Sequence, residues 1–420
     1  MKEILTQKAL DSKILYNRSK IGRFGDMDLA KRSKCGISGL LLVLYVIAYC
    51  ILVHGNLYQD SHPLRVLVYA VFAIWVFCEY LRSPSNCGLI YYLGGGLVFY
   101  ATILGLLNFH RPFFSWYSLL SDLITLSGFF IGIMLCVIKG NLVIMKTLTA
   151  CFYLLFLLAS LGTLLDLHAT SRYQRLDNMS VITAIDYCIR LFPIALCYKR
   201  LSRANLIPLL VIWLLIVPII ITFTCSRGSL LIYVTCTLLA ALSFNPEKIT
   251  ISTVITYILA ILIFLTFYLI NLDLFTNLIN RIVDTELQKE TRFYEITNVV
   301  KDAGIELIQG RGLGARNYNH LNFEFVESFC TVPHAAVLGF MYKFGILGFL
   351  FFWLFPTVGA VRLIFSGHKT ATAFALSLIV FKLGDCIGGT WDSIGMLFFS
   401  IALYLSLGSK NRPWIKPIDT

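Results

Sequence analysis

The residues of this chain best suited to chemistry are Arg227, Arg292 and His334. Arg227 lies in a short turn, 224–229, between two apolar runs and has no acidic residue near it in sequence. Arg292 follows Thr291, and His334 follows Pro333 just before apolar character returns. A guanidinium grips phosphate oxygens in a bidentate fork and cannot lose its charge. Two of them would stabilise a departing pyrophosphate in a transition state, and a histidine within reach of an incoming hydroxyl could take its proton. Arg172, Arg175 and Arg311 are further candidates for the same anion, although Asp166 and Asp177 stand close enough in sequence to neutralise the first two. Glu295 shares a helix side with Arg292 and is a supporting candidate. Lys382 and Asp385, at i and i+3 near the end of an apolar run, form another polar island. Ionisable groups at such depth are functional candidates, but this pair could simply neutralise itself. Lys343, nine residues after His334, is expected to face a polar interior.

What must position these residues follows from composition. Hydrophobic residues make up 58% and charged residues 14%, against roughly 45–50% and about 25% in a soluble domain. The apolar residues come in separated runs, most of them long enough to cross a bilayer as helix. The expected fold is therefore all-α and polytopic, since a soluble helical protein could not hide this much apolar surface. Spans are expected at 37–54, 64–80, 87–109, 118–138, 142–165, 180–198, 205–225, 229–245, 249–271, 336–365, 371–388 and 392–408. Asp186 and Arg190 interrupt the sixth, and the tenth is long enough to begin above the membrane. The chain then divides into a basic tail (1–36), spans one to nine (37–271), one large polar loop (272–335), spans ten to twelve (336–408) and a second tail (409–420).

Charge sets the expected orientation. The first tail carries nine Lys or Arg against four Asp or Glu and has no apolar segment with a small-residue cleavage site, so it reads as a cytoplasmic anchor rather than a signal peptide. With that end inside, every inner linker is net basic or neutral, and 272–335 faces outward. The net charge of +12 is largely tail and inner linkers, so it does not indicate nucleic acid. Seven of the twelve cysteines, Cys50, Cys78, Cys136, Cys151, Cys188, Cys197 and Cys236, lie inside apolar runs, where a thiol acts as a small hydrophobe. No pair has metal-ligand spacing. Neither a metal nor a cofactor is expected.

The outer loop has internal order. Thr291 can cap a helix in which Phe293, Ile296, Val300, Ala303 and Leu307 recur at three- and four-residue spacing, predicting an amphipathic helix with that face on the bundle. GRGLG at 310–314 lets the backbone turn through conformations other residues avoid, and without a βαβ context it is weak evidence for a nucleotide. From Pro333 a helix is expected to run continuously through AAVLGFMYKFGILGFLFF into the membrane. Outward-facing arginines with one histidine imply transfer of a glycosyl or phosphoryl-linked group from a lipid carrier, where no nucleotide sugar is available.

Four motifs carry a family resemblance: CSRGSLL at 225–231, ETRFYEI at 290–296, GRGLG at 310–314 and PHAAVLGFMYKFGILG at 333–348. In this order, around one large outer loop, they resemble the bacterial O-antigen polymerase and O-antigen ligase superfamily of polytopic glycosyltransferases. The resemblance covers most of the chain beyond residue 37. It implies an undecaprenyl-pyrophosphate-linked glycan as donor, Arg227 and Arg292 as its pyrophosphate ligands, and His334 as base or positioner for the acceptor hydroxyl. It also implies a metal-independent, inverting displacement on the periplasmic face of the bacterial inner membrane. The family commonly has asparagine after the histidine, where this chain has Ala335, and ligases often have a second histidine where this chain has Val332. Proline directly before the histidine is closer to the polymerases. A polymerase is therefore expected, extending another lipid-linked repeat, with a chain-length regulator and membrane lipids as partners. The alternatives are a ligase acting on lipid A–core, a polysaccharide-lipid flippase, for which no repeated halves are visible, and a scaffold without chemistry.

Overall fold

A computed structural model describes residues 37–51, 63–82, 84–169, 179–202, 204–224, 226–243, 276, 291–319, 328–330, 336–364, 369–388 and 392–407. Long apolar runs without interior polar partners fold as helices because only a helix satisfies every backbone group within the segment. The runs become α1 (Ile37–Ile51), α2 (Pro63–Arg82), α3 (Leu89–Leu107), α4 (Trp116–Ile138), α5 (Asn141–Ala169) and α6 (Met179–Leu201). They continue as α7 (Ile207–Thr224) and α8 (Arg227–Ser243). The polar segment 272–335 supplies α9 (Thr291–Ala303), α10 (Glu306–Gln309) and a two-stranded antiparallel ribbon, β1 (Asn317–Asn319) with β2 (Ser328–Cys330). Next, α11 opens as Ala336–Phe349, passes a π turn at Leu350–Leu354 and ends as Phe355–Ile364. The chain closes with α12 (Lys369–Gly388) and α13 (Ser393–Leu407).

Among the described residues, six helical segments are long and apolar enough to cross a membrane: Leu89–Leu107, Trp116–Ile138, Asn141–Leu165, Val181–Leu201, Ile207–Thr224 and Val337–Ile364. Eleven of the expected spans coincide with helices to within a few residues. The expected ninth span, both tails and most of 272–290 lie outside the described residues. Many outward side chains are large and apolar, among them Leu67, Ile74, Leu89 and Phe99, as expected of a membrane-embedded protein.

Packing follows small residues and prolines. Gly128 and Gly132 on α4 bring α13 to backbone contact, and a Cβ at Gly132 would stand 2.7 Å from the Leu397 carbonyl oxygen. The π turns of α7 and α11 each end shortly before a proline, Pro218 and Pro356. Proline has no N–H to return to the preceding turn, and the widened turn relieves that mismatch. α6 lies at the centre, against α1, α5, α7, α8 and α12, and its side chains from Ala184 to Cys197 are buried almost without exception.

Two expectations need correction. The helix opening at Ala336 is not continuous: Gly345 has φ 70° and ψ −160°, so the chain bends sharply there. Phe340 and Phe344, before the bend, meet Phe352 after it, with ring centroids 4.8 and 5.3 Å apart. The buried face of α9 also differs. Val299, Ala303 and Leu307 are buried, whereas Ile296 and Val300, expected to point down, are exposed. Among the described side chains of α9, the apolar sector meets protein at Val299 and Ala303 and is exposed at Ile296 and Val300.

Candidate functional site

At one end of the bundle Glu79 accepts Lys139 at 3.2 Å and the Ser38 hydroxyl at 2.9 Å, joining the beginnings and ends of helices expected to face inward. Among the described residues, the buried charges lie toward the opposite end, where α3 and α12 finish and α4, α6, α8, α11 and α13 begin. They form two groups.

The first group seats the glycine loop 310–316. Its backbone runs with φ near +86° at Gly310 and Gly312 and +85° at Gly314, a region that excludes ordinary side chains. Glycine also permits the close approach: a Cβ at Gly310 would stand 2.6 Å from the Gly345 nitrogen, and one at Gly312 would collide with Gly105 of α3. The bend at Gly345 leaves carbonyls to which the loop donates, Arg311 N–H to Tyr342 O (2.7 Å) and Gly312 N–H to Lys343 O (3.1 Å). Leu313 N–H donates to Ala101 O (2.8 Å), and Arg316 N–H to Phe113 O (2.7 Å). Irregular backbone is tolerated at this depth only where protein satisfies it, and here α3, the 108–115 loop and α11 do so. Beneath the loop lies a fully buried ion pair. Lys343 Nζ donates to Asp122 Oδ2 at 2.7 Å and to the Ala315 carbonyl, while Gly314 N–H donates to the same carboxylate oxygen at 2.8 Å.

Arg311 belongs to this seat, which corrects its expected role as an anion ligand. Its guanidinium is buried, donating to Glu306 at 2.7 Å, to Asp302 at 2.5 Å, to the Asp302 carbonyl at 2.8 Å and to Tyr342 Oη at 2.8 Å. Phe113 covers one face, 4.5 Å from the guanidinium carbon. Burial opposes its charge, but contact with Tyr342, Asp302 and Glu306 more than offsets this and raises the pKa above the ordinary arginine value. The two carboxylates occupy the fork that a phosphate would need.

The second group lies where α6 meets α8, α12 and α13. Asp186 Oδ1 accepts the Ser229 hydroxyl at 2.5 Å, and Ser229 shares a 2.7 Å hydrogen bond with Ser226, so the acid of α6 ties down the first turn of α8. Tyr187 Oη donates to Asp392 Oδ2 at 2.5 Å, while Asp392 Oδ1 accepts Gly395 N–H at 2.5 Å and caps α13. Arg190 is 1% exposed, between the rings of Phe381 and Tyr187 at 5.1 and 5.4 Å, where Gly384 leaves room for its guanidinium. Lys382 is buried with its ammonium 3.9 Å from the Phe399 ring centre and 5.4 Å from that of Phe340. It therefore touches the first segment of α11, six residues beyond His334.

Arg227 is the first residue of α8, and Arg292 is the second of α9. Both are thus in the first turn of a helix, and Ala336, two residues past His334, opens α11. The side chains of Arg227, Arg292, Glu295 and Asp385, and all of Arg172, Arg175 and His334, lie outside the described residues. Lys343 is indeed turned to a polar interior, and its partner Asp122 was not singled out from sequence. The available signal was a lone carboxylate in an apolar run. Asp186 and Arg190 were visible only as interruptions of the sixth run. Among the described residues, no three His, Cys, Asp or Glu side chains are grouped to hold a metal ion. No protein-family model and no curated protein matches this chain.

Proposed function

We propose that this chain is a membrane-embedded transferase of lipid-linked glycan, and specifically an O-antigen polymerase. The observation that carries the reading is that Arg227 and Arg292, picked out by residue type and motif, each stand in the first turn of a helix. First-turn backbone N–H groups and the helix dipole favour an anion there, with the Ser229 N–H of α8 already donating to Ser226 Oγ. A guanidinium at the same place adds a permanent charge and a bidentate fork. In the proposed reaction a sugar hydroxyl of one lipid-linked repeat attacks the anomeric carbon of the glycan on undecaprenyl pyrophosphate. The glycosidic bond forms as the bond to the pyrophosphate oxygen breaks, inverting the centre. The hydroxyl proton goes to His334, and the arginines take the charge of the leaving pyrophosphate. The active face is periplasmic and the membrane is the bacterial inner membrane. A chain-length regulator is a further proposed partner. Glu295, Lys382 and Asp385 have supporting roles, and Lys382 supports the reading through its contact with Phe340.

A second reading, ligase, uses the same donor with lipid A–core as acceptor. A gel of surface polysaccharide from a deletion strain separates the two. Single repeats on lipid A–core are the expected result for a lost polymerase. Bare core with accumulating lipid-linked chains would instead identify a ligase, and an unchanged ladder would refute both.

A further inference from the structure

We propose that the turn joining α9 to α10 is a lipid-contacting wedge, with Ile305 and Ile308 set against acyl chains of the outer-facing leaflet. This inference needs only a membrane-embedded bundle and not the transferase reading. Ile305 is 82% exposed and Ile308 61%, which is unusual for isoleucines in a polar outer segment. They do not stand alone. On α9, Ile296 and Val300 are exposed one step around the helix from buried Val299 and Ala303. The apolar sector of α9 is therefore wider than the protein surface that covers it.

Depth identifies what covers the rest. Leu313 is hydrogen bonded to the Ala101 carbonyl, and Gly312 packs on Gly105. Ala101 lies six residues before the end of α3 at Leu107, which is roughly 9 Å of helix. Tyr100 Oη donates to the Gln309 carbonyl at 2.8 Å, so α10 is fastened to α3 at that same level. The segment carrying Ile305 and Ile308 is thus held alongside a membrane helix rather than above it.

The occupant follows from continuity with α3. Among the six membrane-length segments of the described residues, that helix is the least covered, with 17% of its apolar stretch buried. Leu93, Phe99, Ile103 and Leu107 point outward along its length, and exposed Ile308 directly precedes Gln309, whose carbonyl Tyr100 of α3 holds. Exposed Trp116, at the head of the adjoining α4, belongs to a residue type enriched at the membrane–water boundary. Exposed Lys301 and Asp302, on the opposite side of α9, provide the water-facing edge. The Arg311 contacts with Asp302 and Glu306 hold the wedge in place.

The test places an environment-sensitive fluorescent amino acid at 308, at 305 and, as a water-facing control, at 301 of the full chain in phosphatidylcholine–phosphatidylglycerol nanodiscs. Each position is quenched separately with nitroxide-labelled lipid and with aqueous iodide. The expected result is blue-shifted emission and several-fold stronger quenching by lipid nitroxide than by iodide at 305 and 308, with the reverse at 301. Iodide quenching at 305 and 308 equal to that at 301 would overturn the proposal. Protection from both quenchers would also overturn it, since protein would then cover the wedge. Ile305→Ser with Ile308→Ser gives a second measurement: it should leave the melting temperature in detergent unchanged but lower it in nanodiscs relative to the unaltered chain. Equal shifts in both media would contradict a lipid contact.

Discussion

Two arginine–glycine pairs, Arg311–Gly312 and Arg227–Gly228, look alike in sequence and occupy opposite kinds of place. Arg311 is sealed beneath Phe113 and held by Asp302, Glu306 and Tyr342. It belongs to a seat that also buries Asp122 and Lys343. Arg227 opens a helix whose first turn is tied to Asp186 through Ser226 and Ser229. In the first region charge is neutralised to hold a loop. In the second, polar side chains brace the helix end at which an arginine begins. Arg311 teaches that an arginine beside glycine is not itself an anion site, because the carboxylates within its reach decide its use.

The sharpest way to break this comparison is to unpair the seat. Lys343→Met leaves Asp122 buried without its ammonium and is expected to cost roughly 3–5 kcal/mol, read as a lowered unfolding midpoint in nanodiscs. Asp122→Leu combined with Lys343→Met should recover part of that loss, because no lone charge remains. A double variant less stable than both singles would show that the pair is not the unit of stability. Arg227→Ala should behave in the opposite way: near-unchanged unfolding but transfer reduced about 10²- to 10³-fold.

Arg311→Ala comes next, at about 3 kcal/mol, since it strands Tyr342 and two carboxylates. Arg311→Lys should rescue little, because an ammonium cannot reproduce the fork. The raised pKa of Arg311 has a consequence of definite sign. Its charged form contributes stability at all pH values below the ordinary arginine range, and loss begins only above it. Unfolding midpoints should therefore show no step attributable to Arg311 between neutral and mildly alkaline pH, checked by comparing the unaltered chain with Arg311→Ala.

Gly312→Ala is expected to cost about 1–3 kcal/mol, through its φ of 86° and its contact with Gly105. Melting curves would register it without a change in transfer beyond the loss of folded protein. The smallest effect is Ser229→Ala, about 1–2 kcal/mol for the hydrogen bonds of its hydroxyl to Asp186 and Ser226. Its interest is functional, because it loosens the first turn of α8. A drop in transfer larger than the drop in folded protein would assign Ser229 a positioning role.

Most of the helices were legible in the sequence because a bilayer-length apolar run has one backbone solution. Several of the described helices begin where a polar or proline residue interrupts the apolar run, as at Asn141 and Pro63. The bend at Gly345 was not legible. FMYKFGILGF reads as continuous helix, and the bend depends on a loop that arrives from thirty residues earlier with glycines of its own. The Asp122–Lys343 pair joins residues 221 apart, and nothing local to either announces the other. Ile296 and Val300 were misassigned because periodicity locates an apolar face but does not say whether protein or lipid covers it. Arg311 failed for a related reason: the acids that claim it, Asp302 and Glu306, were visible, but the turn that folds them back on it was not.

The most direct test of the central claim is transfer by the purified full chain in nanodiscs, supplied with undecaprenyl-pyrophosphate-linked repeat units. The unaltered protein should produce lipid-linked chains of two and more repeats and release undecaprenyl pyrophosphate. Arg227→Ala, Arg292→Ala and His334→Ala should each cut product about 10²-fold or more while unfolding like the unaltered protein. Full-length product from all three variants would contradict the account.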